Sequence, residues 1–238
     1  MMRARSRVLL VIIAAMLVAA GALSLGRNRP EPPPFERPKL LLLTSLPLVF
    51  GEQLSIETAG SPALKALQSC YRVVPISVTD PAELAKGRLL LMAHPLAQPA
   101  EDLVALDQWV RRGGRVLLLA DPMLDWPSER ALGDPLRPPP MFMDTGLLGH
   151  WGLRLDAPDA RSVQPRKLGG KDILTSSPGS LQGRCAISAD RLVARCRIGK
   201  GRATVVADAD LLDTDRLGSG GKRNLDGLLA ELASLANN

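Results

Sequence analysis

Aromatic side chains are nearly missing from this 238-residue chain: one Tyr, three Phe and three Trp make up 3% of it. Proteins that grip bases by stacking need aromatic faces, so a nucleic-acid platform is not supported. Cysteine is scarce as well. Cys70, Cys185 and Cys196 are the three present, and no Cys-x-x-Cys occurs, which removes zinc and thioredoxin-like motifs. No Gly-x-Ser-x-Gly elbow surrounds any serine, and no EF-hand loop is present. Gly218-Ser219-Gly220-Gly221-Lys222 fails the P-loop spacing, because Arg216 stands where its first glycine should be. It reads as a surface loop.

A basic surplus is also smaller than the totals suggest. The net charge is +6, but five of the 30 Lys and Arg lie in residues 1–29, which hold no acid. Residues 30–238 therefore carry 25 bases against 24 acids, a net of +1. That balance leaves no basic stripe to read as a nucleic-acid surface.

What the chain has in abundance is apolar sequence at its start. Arg3, Arg5 and Arg7 precede an apolar run from Val8 to Leu25, and Arg27 and Arg29 follow it. A run of about 18 residues is the lower edge of what spans a bilayer as a helix. Cleavage as a signal peptide at Ala20-Gly21-Ala22 is one reading. An uncleaved signal anchor is the other, favoured by the length of the run and by the bases after it. The positive-inside rule weakly places the N-terminus in the cytoplasm and the body outside it. The expected organisation is an anchor over 1–29, a Pro-rich linker over 30–38 and one α/β domain over 39–238, long enough for a sizeable core.

That domain reads as alternating strands and helices. Lys39–Ser45, Arg72–Ser77, Arg88–Ala93 and Arg115–Ala120 are short apolar runs of the kind covered on both faces. Pro75 assigns the second to a sheet edge, since proline cannot donate to a ladder. Ser61-Pro62 and Asp80-Pro81 open helices, and Gly113-Gly114 close the one that starts near Glu101. Such alternation predicts a doubly wound, mostly parallel sheet with right-handed crossovers. Residues 122–143 form a Pro-rich loop and 153–207 read as β-hairpins. Arg202–Ala207 is a further strand, and Asn224 caps a last helix with Leu225, Leu228, Leu229, Leu232 and Leu235 on one face. Cys70 and the pair Met141 and Met143 read as core residues.

Cys185 to Cys196 folds into a hairpin turning at Asp190-Arg191. In that register Ala189 faces Leu192 and Cys185 faces Cys196. Opposed residues stand close enough for a disulfide in an oxidising compartment; two free buried thiols are the alternative.

Ligands of open α/β sheets bind beyond the carboxyl ends of strands. Those ends carry Ser45, His94, Asp121, Asp208 and Asp210, the candidate ligand-binding residues. Ser45, His94 and Asp121 have the residue types of a nucleophile, a base and an orienting acid. Asp121, Asp208 and Asp210 have those of a Mg²⁺ or Ca²⁺ site. The plainer reading of the acids is that they accept hydrogen bonds from loop amides. No metal and no cofactor is assigned.

The stretch from Ala100 through Trp109, Gly113-Gly114 and Val116–Ala120 to Asp121-Pro122 resembles the extracytoplasmic domain of Gld-type auxiliary proteins of ABC transport systems. It is also similar to a related domain of unknown function in small membrane-anchored bacterial proteins. Leu147–Leu153 with Trp151-Gly152, and Gly199–Arg202 through Asp208–Asp210 to Asn224, resemble the later elements of that pattern. The resemblance implies a fold similar to class I glutamine-amidotransferase-like domains. It does not imply their chemistry, because the strand exit Ala120-Asp121-Pro122 lacks the cysteine nucleophile. It further implies a membrane-anchored, non-catalytic binding or auxiliary role, with ABC transporter subunits or other envelope proteins as partners. A hydrolase using carboxylates at strand ends and a structural scaffold are the alternatives.

Overall fold

The computed structural model of the protein describes residues 37–51 and 60–237. The apolar segment expected to anchor the chain, and the Pro-rich linker up to residue 36, lie outside the described residues. Among the described residues, no helix is long and apolar enough to cross a membrane.

The chain opens with β1 (Lys39–Thr44), whose four leucines are all buried. Next come α1 (Pro62–Cys70), β2 (Arg72–Pro75), α2 (Pro81–Leu84), β3 (Leu89–Ala93), α3 (Ala100–Arg111) and β4 (Arg115–Leu119). Each helix begins where the local chemistry allows it. The Ser61 hydroxyl accepts from Leu64 N at 3.0 Å and Asp80 accepts from Glu83 N at 2.7 Å, each with proline in the first turn. These bonds satisfy amides that no helical carbonyl can reach.

After the long loop come α4 (Leu147–His150), β5 (Leu153–Asp156), β6 (Val163–Leu168), β7 (Lys171–Ser176), β8 (Ser180–Gly183) and β9 (Ala186–Ile187). Then β10 (Val193–Ile198) and β11 (Gly201–Val206) form a hairpin, and α5 (Gly221–Asn237) ends the description. The main sheet has seven strands in the order β2-β1-β3-β4-β11-β10-β9. Pairs from β2 to β11 are parallel, and β10 and β9 add to the far edge antiparallel. The fold is thus mixed α/β on a mainly parallel sheet. Helices α1 and α5 pack together, as do α2 and α3; right-handed crossovers put these two pairs on opposite faces. β5 pairs with β8 and β6 with β7 in two small antiparallel sheets.

The core lies between sheet and helices. β3 is buried at every position, and α5 contributes Leu225, Leu228, Leu232 and Leu235. Each fully buried leucine adds about 1.5–3 kcal/mol of transfer free energy. The β10–β11 turn is Gly199-Lys200. Gly199 has φ +58°, and a Cβ there would meet the Arg111 carbonyl at 2.7 Å, so the end of α3 demands glycine at this position.

Four local expectations need correction. Asn224 does not cap the last helix, which begins three residues earlier at Gly221; the buried side chain instead reaches across to β7. Cys70 is exposed at the end of α1, because α1 turns only Ala63, Leu64 and Leu67 inward. Met141 and Met143 are half exposed, since the Pro-rich loop lies over the sheet edge and leaves them outside. The segment 216–223 is not all loop: it holds a 3₁₀ turn at Gly218–Gly220 and the first residues of α5.

Cys185 and Cys196 are joined by a disulfide with Cα atoms 4.8 Å apart. The ladder pairs Ile187 with Ala194 and Ala186 with Arg195, and one more step sets Cys185 opposite Cys196. The bond ties the two-residue edge strand β9 to β10.

Candidate functional site

All five candidate residues lie at carboxyl ends of parallel strands, but the structure divides them. Asp121 follows β4, and Asp208 and Asp210 follow β11, its neighbour. All three are buried, and each accepts from backbone amides. Asp121 accepts from Ala209 N at 2.8 Å and from Met123 N at 2.9 Å. Asp208 accepts from Leu211 N at 2.8 Å and Ser176 N at 3.0 Å. Asp210 accepts from Asp125 N at 2.8 Å, while its other oxygen is buried without a partner.

Asp125 closes the arrangement from the loop side. Its carboxylate takes the hydroxyls of Ser176 and Ser177 at 3.0 and 2.7 Å and an Arg161 guanidinium N–H at 3.2 Å. Phe142 N donates to the Asp121 carbonyl at 2.6 Å. Both ends of the 122–143 loop are therefore pinned to the strand ends, and the loop seals the acids from water. Burial pushes Asp121 up to about 6, although its backbone amides pull the other way. Asp210 is pushed up to about 8 by burial and then by Asp121. Asp208 lies well above the usual range for the same reason, with Asp121 and Asp210 both repelling its charge. Among the described residues, no three His, Cys, Asp or Glu side chains are grouped to hold a metal ion.

Ser45 and His94 follow β1 and β3. They meet through the wrong atoms for a triad: the Ser45 hydroxyl donates to the His94 main-chain carbonyl, not to its ring. The buried imidazole bonds Pro139 O through Nε2 at 2.9 Å. Since a carbonyl only accepts, Nε2 carries the proton, and Nδ1 is left buried without a donor. Burial lowers the His94 pKa, outweighing the Pro139 bond. Asp121 is engaged elsewhere by Ala209 and Met123. The nucleophile, base and acid are present but not assembled.

The sheet order reverses between β1 and β3, the switch point at which open α/β sheets leave a crevice. A cleft of about 430 Å³ opens there. Leu42, Ser45, Val49, Ile76, Leu96 and Leu136 are among its lining residues, and among the described residues Arg130 is the one charged member. Phe50 and Leu136, both lining, are 80% and 68% exposed. Thr44 braces the floor: its hydroxyl donates to Ala93 O at 2.9 Å and accepts from Leu46 N at 2.9 Å. Sequence reasoning found Ser45 here and missed the apolar wall. Its signal was the presence of Leu136 inside a Pro-rich loop, where nothing in the core calls for leucine.

A family model described as ABC-type uncharacterized transport system matches residues 37–160. The chain belongs to this family. The matched segment of the ABC-type transport family runs from β1 through β5, so it holds the whole cleft together with His94 and Asp121. Asp208, Asp210 and α5 lie beyond it. No curated protein matches the chain. Among solved structures, an exo-beta-1,4-mannosidase from Opitutaceae bacterium strain TAV5 aligns over 84% of this chain and 36% of its own, at 13% identity and TM-score 0.50. A beta-galactosidase from Bacillus circulans sp. alkalophilus aligns over 85% and 31% at 13% identity and TM-score 0.47. A cytoplasmic protein from Salmonella typhimurium aligns over 83% and 98% at 9% identity and TM-score 0.47. The likeness at 0.50 bears on the fold alone, and the chain spans about a third of the mannosidase.

Proposed function

We propose that this protein is a membrane-anchored, non-catalytic auxiliary subunit of an ABC-type transport or envelope system. Its body lies outside the cytoplasm, on a single N-terminal span of the cytoplasmic membrane. Family membership supports the transport association. The apolar run over residues 8–25 with basic flanks supports the anchor, and the Cys185–Cys196 disulfide supports an oxidising compartment. We also place the fold beside the class I glutamine-amidotransferase-like domains, on the strength of its parallel sheet and wound helices, without their cysteine chemistry.

One observation carries the binding role: at a single sheet edge the acids are sealed and an apolar cleft is open. Carboxylates working on a substrate must reach it; Asp121 and Asp210 instead hold amides of the 122–143 loop, and Asp208 holds Ser176 and Leu211. The cleft has the shape and chemistry of a docking pocket, apolar walls with few polar groups. In this reading Ser45 touches the bound group, while His94 and the three acids support the cleft from behind.

The test is purification of the tagged full-length chain from detergent-solubilised membranes, with Phe50→Asp/Leu136→Asp beside the wild type. Both side chains are exposed, so the variant keeps its fold. Transporter ATPase and permease subunits are expected with the wild type and reduced at least roughly tenfold with the variant, which loses two docking side chains. Equal recovery with both would remove the cleft from the interface, and no transporter subunit with either would end the auxiliary reading.

A further inference from the structure

The near-neutral balance of residues 30–238 conceals a separation of charge along the strands. Every parallel strand begins with a base: Lys39 on β1, Arg72 on β2, Arg88 just before β3, Arg115 on β4 and Arg202 on β11. The register aligns them. Lys39 pairs with Arg72, Arg115 with Arg202, and Arg202 with Arg197 of β10, while Arg115 N donates to Arg88 O at 2.9 Å. Six bases therefore cross six adjacent strands at one edge of the sheet, a row of roughly 24 Å at the usual strand spacing. The buried acids sit at the opposite edge.

These bases are not neutralised within the described structure. The nearby acids already have partners: Glu83 is paired with Lys86, Asp107 with Arg111, and Glu231 with Arg195. Among the described residues, none of the six side chains in the row has an ion pair or hydrogen bond. Lys39, Arg72, Arg88 and Arg197 are exposed, and Arg115 and Arg202 are half-buried. Setting Arg197 directly opposite Arg202 costs stability in isolation. Exposed Arg112 and Lys200 adjoin the row, since Lys200 N donates to Arg111 O at 2.9 Å. Helix dipoles account for only part of the row: Arg72, Arg88 and Arg115 follow the C-termini of α1, α2 and α3, whereas Lys39, Arg197 and Arg202 follow no helix. Other bases bond at helix ends as well: Arg37 holds the Gln68 carbonyl at the end of α1, and Arg111 closes α3.

The chain also enters the described structure here. Arg37 and Pro38 lead into Lys39, so residues 1–36 join the body at this edge. We propose that the amino edge of the sheet docks on an anionic lipid surface, with the row of bases against the headgroups. The proposal rests on the membrane-anchor reading and adds an orientation to it: basic edge toward the bilayer, apolar cleft away from it, open to a partner. Each base near such a surface contributes about fivefold in affinity. A nucleic acid could meet the same charges, but the scarcity of aromatics and the entry of the chain at this edge favour lipid.

Cys70 is the one cysteine outside the disulfide, exposed and two residues from Arg72. It takes a fluorescent label in the full-length chain, reconstituted into vesicles that carry a headgroup-attached quencher. The expected result is quenching with about one-third phosphatidylglycerol and little with phosphatidylcholine alone. Quenching should vanish at about 1 M salt, where the Debye length is about 3 Å. The variant Lys39→Gln/Arg72→Gln/Arg88→Gln/Arg197→Gln, all exposed positions, should match the neutral-lipid signal while its melting temperature stays that of the wild type. Equal quenching on both lipids, or no change in the variant, overturns the docked edge. Preferential salt-sensitive capture by a single-stranded oligonucleotide over the anionic vesicles overturns it in favour of nucleic acid. Flotation in alkaline carbonate reads the anchor separately: a chain that floats without lipid-dependent quenching loses only the docked edge, and a chain that is released loses the anchor.

Discussion

Asp210 is a carboxyl group whose surroundings favour the proton. One oxygen accepts from Asp125 N and the other has no donor, so the buried charge is only half solvated. Its pKa rises from 3.8 to about 8 and that of Asp121 to about 6. Between these limits the folded state holds protons that the unfolded chain has released. Stability from these groups is therefore fully present below about pH 4 and is lost as the pH rises through 6 and then 8. The melting temperature is expected to fall between pH 5 and pH 9. Asp210→Asn keeps the acceptor for Asp125 N and carries no charge, so it should flatten that fall and raise the melting point at pH 9. Melting curves of both proteins across the range decide the matter; an unchanged pH profile in the variant would show that Asp210 does not titrate there.

At the scale of elements, two cross-links brace the C-terminal half. The first is Asn224 in α5, which accepts from Leu174 N at 2.8 Å and donates to Leu174 O at 2.7 Å and Leu211 O at 3.0 Å. Asn224→Ala leaves the half-buried Leu174 N–H and carbonyl of β7 and the buried Leu211 carbonyl without this partner and should cost about 2–3 kcal/mol in urea unfolding. The second is the disulfide across 11 residues. Reduction frees the short strand β9 and should lower stability by about 2–3 kcal/mol, read as a shift in the urea midpoint with dithiothreitol. Both features bear on what could be read in advance. The Cys185–Cys196 register follows from counting outward from a two-residue turn, a local calculation. The role of Asn224 does not, because its partners stand 50 and 13 residues away and a polar residue near a helix start looks like a cap. Cys70 and the Met141–Met143 pair were misjudged for a related reason: which side of a short helix or a loop faces inward depends on what it packs against.

For the whole molecule, the strands and their wound arrangement were legible because burial on both faces leaves a plain mark. Runs such as Leu40–Leu43 and Leu89–Ala93 have no polar alternation, and Pro75 marks the outer strand β2. The position of β11 beside β4 was not legible, with some 80 residues of loop and hairpin between them. The candidate site shared that fate. Five residues at strand ends were identified, yet their grouping depends on strand order. Ser45 went to an open cleft, whereas His94, Asp121 and Asp210 are bonded to the loop and Asp208 is buried beside them. The basic row is the clearest case. Its members stand in plain view at the head of each strand, but composition averages them against acids that the fold carries to the far edge.

By itself, the chain of residues determined where strands, caps and turns form, since those depend on neighbours a few positions away. It also determined the apolar character of the N-terminal run. Tertiary structure alone decided that the three acids face each other under a loop, that an apolar cleft opens beside β1, and that six bases form one line. Those outcomes follow from parallel pairing, which sets residues from distant parts of the chain about 5 Å apart and lets burial and mutual repulsion act between groups that have no local relation.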